Sequence, residues 1–403
     1  VAVVGLAVVT NVEAAFSRLA HTAFSMTANY LTAVIPLFVF MGELAYVSGL
    51  TREGYSATYK WLGRLPGGLA MATIGGCAGF AAVCGSSEAT ALTIGSFALP
   101  EMRQHKYDSR LALGSVAAGG TLGILIPPSM ALVLYGLITE QSIGKLFLAG
   151  VFPGILLTLL FMITIYILAK SSPFMGPAGG KTSWREKLSA FKDIWGVLIL
   201  FLVVMGGIYG GILTPTEAAA AGAFSAFVIA LVKRKLTRQN VVTSFMNTFR
   251  VTGFVFVIII GAVLFGYFMA ASGVSMALAD FIVSLPFPPL LILISILILY
   301  LILGCLMDAF AMVLITMPIL YPLVLGLGFD PIWFGVLIVI MMEMGMITPP
   351  IGMNVFVIKG VAKGVSMYAI FQGAFPFVIA MAICVAILIA FPQIALFLPR
   401  AMK

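Results

Sequence analysis

Charged residues are scarce in this sequence. Asp, Glu, Lys and Arg together make up 9% of its 403 residues, while 62% are hydrophobic. Soluble domains carry about 25% charged and about 45–50% apolar residues, so this chain cannot clothe a soluble core. With a mean hydropathy of +1.16, it reads as a polytopic membrane protein. Histidine is nearly absent: His21 and His105 both sit in polar connections, with no HExxH or His/Cys ligand spacing. The four cysteines, Cys77, Cys84, Cys305 and Cys384, lie in apolar runs without a CxxC pair. They read as small buried hydrophobes and say nothing of redox compartment.

These shortages weigh against an intramembrane enzyme, which needs a nucleophile–base pair or metal ligands. Neither histidine lies in a predicted span, and the lysines nearest to spans, Lys145 and Lys359, fall at their ends; a Ser/Lys dyad stays open. Acidic residues are also few, 14 against 22 basic, for a net charge of +8. In a soluble chain that excess suggests nucleic acid. In a membrane protein the gathering of Lys and Arg in cytoplasmic loops accounts for it, and no nucleic-acid partner is implied. The sequence opens at Val1 inside an apolar run without a Met, so a preceding segment is expected.

What is present is an interrupted apolar stretch that occurs twice. Gly114–Gly154 is apolar enough to lie in a bilayer, yet Pro127-Pro128 cuts it. Two successive prolines remove two backbone donors and push the preceding residue out of the helical region. From Gly345 the pattern returns: Gly123 matches Gly345, Pro127-Pro128 match Pro349-Pro350, and Phe152-Pro153 match Phe375-Pro376 after one inserted residue. A break at membrane depth is tolerated only where protein or a watery cavity satisfies the freed groups. Paired broken helices in two halves point to the binding site of a secondary transporter.

Along the chain, Thr10-Asn-Val-Glu13 fits a capping box, and a span is expected over Ala28–Val47. Pro66–Pro100 is apolar but split at GSSEAT into arms of fewer than 20 residues, which suits a re-entrant hairpin. The first broken helix covers Leu111–Leu137, and a span runs over Lys145–Ala169. Ser171–Asp193 is the longest polar connection. Spans over Ile194–Leu213 and Pro215–Val232 meet at Thr214-Pro215-Thr216-Glu217, a complete helix-start signal. A further span ends near Ala271, before an interfacial stretch around Asp280. Pro289–Leu325 is split again, at Gly304-Cys-Leu-Met-Asp308. The second broken helix covers Ile332–Ile358, and a last helix is expected over Ser366–Phe397.

If both split runs are re-entrant, 18 of the 22 basic residues fall on one side, leaving Arg18, Lys145, Arg400 and Lys403 on the other. That bias makes the first side cytoplasmic. The first hairpin then enters from the cytoplasm and the second from the opposite face, an inverted-topology repeat.

Hairpin tips and broken helices leave helix ends inside the membrane, where free N–H groups favour anions and free carbonyls favour a small cation. Hard cations take oxygen ligands. Candidates in the first half are Gly85, Ser86, Ser87, Thr90, Gly119, Gly120, Thr121 and Ser129; in the second they are Gly304, Asp308, Thr316, Thr348 and Asn354. Ser87 reads either as a cap for the arm starting at Glu88 or as a ligand. Asp308 reads as a cap or as a functional acid, and a neutral cap would be cheaper at membrane depth. Glu43 and Glu343 read as buried partners of backbone or polar groups. Gly75, Gly76 and Gly79 read as close-packing positions.

The segments GSSEATA, AAGGTLGILIPPS, SIGKLFLAGVFPG, TPTEAAA, GCLMDA and TPPIGMNVFVI together resemble the large membrane subunit of tripartite ATP-independent periplasmic (TRAP) transporters, essentially from end to end. The resemblance leads to the expectation of the family's extreme N-terminal helix segment ahead of Val1. The resemblance implies an all-α elevator-type ion-transporter fold. It divides the chain into scaffold (1–65 and 145–286), transport domain (66–144 and 287–365) and a C-terminal helix (366–403). It further implies Na⁺-driven import of an organic acid, sialic acids and C4-dicarboxylates being family substrates, across the bacterial inner membrane. Implied partners are a small four-helix membrane subunit and a soluble periplasmic binding protein. By the same resemblance Ser86, Ser87, Thr90, Pro128, Ser129, Thr348, Pro350 and Asn354 bind substrate. Gly85, Ser87, Gly120, Thr121, Gly304, Asp308, Gly345 and Thr348 hold Na⁺. Glu88 departs from the small or apolar residue common in the family. It is neutral, hydrated, or paired with a cation, and its role leaves the ion stoichiometry open. The rival readings are a one-component carrier or a channel for an anion, and a channel would show flux without saturation or dependence on a second ion.

Overall fold

A computed structural model of the chain describes residues 1–180, 182–362 and 364–402. Lys181, Lys363 and Lys403, which enter the charge count, lie outside them. Every regular element among the described residues is helical. Six helices are long and apolar enough to cross a membrane, and up to eight if each sharply bent pair counts as one span.

The first split run folds as two arms, Gly68–Cys84 and Ser87–Gln104. Gly85 ends the first arm with φ +69, a left-handed conformation that costs glycine no Cβ clash. Ser86 then opens the second arm, its Oγ accepting from the Ala89 N–H at 3.3 Å. An arm of 17 residues reaches only about 26 Å at about 1.5 Å per residue, short of a hydrocarbon core about 30 Å thick. The second split run repeats the plan with Pro289–Gly304 and Ala309–Gly326. Here Asp308 is the cap, its Oδ1 accepting from the Phe310 and Ala311 N–H groups at 2.9 and 3.3 Å.

Both proline pairs break their helices where expected. The first gives Ser109–Leu125 and Met130–Thr139, the second Pro331–Met346 and Met353–Val361. The Pro127-Pro128 and Pro349-Pro350 peptides are both cis. The first half of each broken helix packs on its own hairpin. The second half crosses over: Met130–Thr139 lies on Ala309–Gly326, and Met353–Val361 lies on Ser87–Gln104. The two inverted repeats thus brace each other. Ser109–Leu125 is the most enclosed segment, walled by both arms of its hairpin, Ile143–Ser171, Pro331–Met346 and Met367–Ala390. Outside this unit, Val34–Val47 packs on Pro215–Val232 and on the long helix Arg238–Ser272.

Several local expectations are corrected. Asn11, not Thr10, caps Val12–Thr27, and its Oδ1 accepts from the Ala14 N–H at 2.7 Å. Thr10 instead closes the preceding helix, donating to the Leu6 carbonyl at 2.6 Å. His21 lies within Val12–Thr27 rather than in a connection. The span expected from Ala28 starts at Val34 and turns by 64° into Leu50–Leu62. The polar connection ending at Asp193 contains a helix, Trp184–Asp193, started by a capping box between Ser183 and Glu186. The last helix stops at Ala390, and after Phe391-Pro392 a short helix, Gln393–Ala401, follows. The Thr214–Glu217 capping box forms as read. Gly75 and Gly76 face Thr58 and Tyr55 at close range, whereas Gly79 has open space beside it.

Candidate functional site

The first hairpin tip is seated in the first helix break. The Met130 N–H donates to the Gly85 carbonyl at 3.4 Å, a long hydrogen bond between two irregular segments. A Cβ on Gly123 would come within 2.4 Å of the Ser86 carbonyl oxygen. One turn earlier, a Cβ on Gly120 would meet the Ser87 carbonyl oxygen at 3.2 Å and Asn354 Nδ2 at 3.4 Å. Only bare backbone at these positions lets the tip in. The hydroxyls nearby are used locally: Thr90 donates to the Ser86 carbonyl at 2.7 Å and Thr121 to the Ala118 carbonyl at 2.6 Å. Ser129 caps Met130–Thr139 through the Leu132 N–H at 3.2 Å.

The second tip is seated the same way. A Cβ on Gly345 would lie 2.6 Å from the Gly304 carbonyl carbon. The Thr348 N–H donates to the Gly345 carbonyl at 3.0 Å, and its hydroxyl donates to the Met344 carbonyl at 2.6 Å. Gly304, Gly345 and Thr348 therefore form one group, with Asp308 four residues beyond at the start of the return arm. Gly85, Ser87 and Gly120 form the matching group in the first repeat, with Thr121 next to Gly120. The two breaks differ in cover: Pro127, Pro128 and Ser129 are buried, whereas Pro349 and Pro350 are exposed and Thr348 is half-buried. Pro350 is thus separated from the enclosed candidates by its exposure.

Between the repeats lies a set of buried polar side chains without partners. Ser87 and Asn354 are 0% exposed and Glu343 is 1% exposed. Ser87 Oγ, both Glu343 oxygens and both Asn354 polar atoms have no hydrogen-bond partner among the described residues. Ser87 does not cap the return arm; Ser86 does, which leaves the Ser87 hydroxyl free to face the Glu343 carboxylate. Glu88 and Asp308 lie close enough to Glu343 to repel it, and Glu88 also accepts from Ser86 Oγ at 3.2 Å. The ion pairs among the described residues, Lys60–Asp193 and Lys233–Glu53, are elsewhere. Glu43 behaves as read, with Asn247 donating to its carboxylate at 3.1 Å. Glu343 does not, because it has no such donor.

Glu343, read from the sequence only as a buried partner of backbone or polar groups, is the residue that no site motif pointed to. A signal for it exists in the repeat: with Gly123 matched to Gly345, Thr121 matches Glu343. The chemistry this region offers is that of carbonyl, hydroxyl and carboxylate oxygens, suited to hard cations. Among the described residues no three His, Cys, Asp or Glu side chains are disposed to hold a metal ion.

Comparison by sequence points to one family. Residues 1–394 match the family described as tripartite ATP-independent periplasmic transporter, DctM component. The chain is 38% identical to the C4-dicarboxylate TRAP transporter large permease protein DctM of Pseudomonas aeruginosa, over 95% of this chain and 89% of that protein. It is 36% identical to the isethionate TRAP transporter permease protein DctMQ of Oleidesulfovibrio alaskensis, over 89% of this chain and 57% of that one. In fold it is similar to the YdaH transporter of Alcanivorax borkumensis, with a TM-score of 0.64 at 15% identity over 92% of this chain and 89% of that chain.

Proposed function

The chain belongs to the family of DctM components of tripartite ATP-independent periplasmic transporters, and from that premise we propose that it imports an organic acid by Na⁺ symport. The observation that carries this reading is the seating of each hairpin tip in its own helix break, Ser86 against Gly123 and Gly304 against Gly345. It sets helix starts, backbone carbonyls and hydroxyls together at two pseudo-equivalent places. Several relatives are named for C4-dicarboxylates, which supports a carboxylate substrate here.

The residues present fit Na⁺. Ser87 Oγ is a buried oxygen without a partner, Asp308 caps through Oδ1 alone, and the Ser87 carbonyl oxygen comes close to Gly120 and the Met342 carbonyl oxygen to Gly304. Ser87, Gly85, Gly120 and Thr121 would hold one ion; Asp308, Gly304, Gly345 and Thr348 would hold another. Na⁺ supplies the inward driving force and offsets the charge of an anionic substrate.

The protein's own groups do the rest. The helix starts at Ser87, Met130 and Ala309 turn N–H groups toward the tips, where a carboxylate is favoured. Ser86, Thr90, Ser129 and Asn354 supply polar contacts. The cross-braced hairpins and broken helices move as one body against Val34–Val47, Pro215–Val232 and Arg238–Ser272, carrying the site between faces of the inner membrane. The family implies a small membrane subunit to anchor that scaffold and a periplasmic binding protein to deliver substrate.

The test is uptake into proteoliposomes with components omitted in turn. This chain with its small subunit and binding protein should take up substrate, and omission of either partner should abolish uptake. Full uptake by this chain alone would identify a one-component carrier instead.

A further inference from the structure

We propose that Ser87, Glu343 and Asn354 form a monovalent-cation site shared between the two repeats, with Glu343 as its charged ligand. This inference rests on the Na⁺-coupled reading above and goes beyond it. The two ion positions implied by the family each pair a hairpin tip with the break of the same repeat. This one joins the first hairpin to the second broken helix.

The geometry begins with Gly120. Without a side chain there, the Ser87 carbonyl and the Asn354 amide both approach the same point, at 3.2 and 3.4 Å from where a Cβ would stand. Ser87 is thereby held between the first broken helix on one side and the second on the other, and its hydroxyl faces Glu343. All three side chains are closed off from solvent. Their polar atoms lack partners among the described residues, and a buried polar group without a partner is expensive unless something else satisfies it.

The character of the missing partner follows from what surrounds it. The oxygens gathered here belong to the Ser87 hydroxyl and carbonyl, the Glu343 carboxyl group and the Asn354 amide, whose Nδ2 is the atom nearest Gly120. These are acceptors and hard ligands. The charged side chains in range, Glu88 and Asp308, are both acidic and add to the negative field. A carboxyl group buried among acids without a basic partner is stabilised either by a proton or by a cation. The three side chains are closed to solvent, while the open grooves of about 980 and 890 Å³ are lined by other residues. A small, dehydrated cation meets both conditions.

The repeat supports the assignment independently. Glu343 stands where Thr121 stands in the first half. Thr121 spends its hydroxyl proton on Ala118 within its own helix. Glu343 has no such local partner and extends toward the opposite hairpin. The site would tie Ser87–Gln104 to Pro331–Met346 when occupied, so cation binding would lock the two repeats into one moving unit.

The experiment is a thermal unfolding titration of the full-length chain purified in detergent, followed by intrinsic fluorescence. NaCl is varied at constant ionic strength made up with choline chloride. A ligand that binds only the folded state raises its melting temperature with concentration. The parent should show a saturable Na⁺-dependent rise. Glu343→Gln should need on the order of tenfold more Na⁺ for the same rise, a loss of about 1.4 kcal/mol, and Ser87→Ala should shift in the same direction. Glu43→Gln, whose carboxylate already has Asn247 as a partner, should titrate like the parent. If Glu343→Gln does not fold, Glu343→Asp decides, because Ser87→Ala also touches the first ion position. Variants that titrate like a responsive parent would overturn the shared site and leave the coupling reading standing. A parent that responds to none of Na⁺, Li⁺ and K⁺, and whose uptake ignores Na⁺, would overturn both.

Discussion

Gly345 and Gly304 lie back to back, so close that a Cβ on Gly345 would stand 2.6 Å from the Gly304 carbonyl carbon. The contact is backbone against backbone, and no flexible side chain can yield to relieve it. Gly123 meets the Ser86 carbonyl oxygen at 2.4 Å in the same sense. One glycine in each broken helix thus admits the tip of its own hairpin, and the repeat is visible in packing as well as in sequence.

Replacement of either glycine by alanine should therefore push a hairpin tip out of its break. Overpacking a close contact costs about 1–3 kcal/mol. Gly345→Ala and Gly123→Ala should lower the melting temperature and abolish uptake, while Gly79→Ala, with open space beside it, should leave both nearly unchanged. Unaltered uptake in Gly345→Ala, measured at equal membrane abundance, would show that the tip does not sit in the break.

The Asp308 carboxylate combines two tasks that substitution can separate. Asn retains an oxygen able to cap Phe310 and Ala311 but removes the charge. Asp308→Asn should insert and fold normally yet need on the order of tenfold more Na⁺ for half-maximal uptake. An unchanged Na⁺ dependence would leave capping as the whole role of Asp308.

Opposite orientation of the two hairpins has a direct consequence for labelling. Single cysteines at Lys235 and Arg185 should react with a membrane-impermeant thiol reagent only from the cytoplasmic side, and one at Glu140 only from the periplasmic side. Reaction of positions 185 and 140 from the same side would contradict an inverted repeat.

Much of this architecture was legible because its signals are local and covalent. Pro127-Pro128 and Pro349-Pro350 cannot donate backbone hydrogen bonds, so the breaks had to fall there. Gly85 and Gly304 marked the tips, and Thr214-Pro215-Thr216-Glu217 carried a full capping signal that the structure forms. The misses come from one-residue choices between competing caps, as with Asn11 over Thr10 and Ser86 over Ser87. Others come from signals passed over, such as Ser183 with Glu186, or Pro392 inside the last apolar run. Glu343 differs in kind. Its importance lies in what it faces, and Ser87 is 256 positions away along the chain. Only its match to Thr121 in the repeat hinted at it.

Secondary transport powered by Na⁺ is most directly tested by concentrative uptake under an imposed gradient. Proteoliposomes holding the chain and its small subunit, supplied with substrate-loaded binding protein, are diluted into Na⁺ or into K⁺ at equal ionic strength. An inward Na⁺ gradient should drive saturable accumulation of the organic acid above its external concentration, and dissipation of the gradient should release that excess. Equal, non-saturating flux in Na⁺ and K⁺ would contradict it and identify a channel.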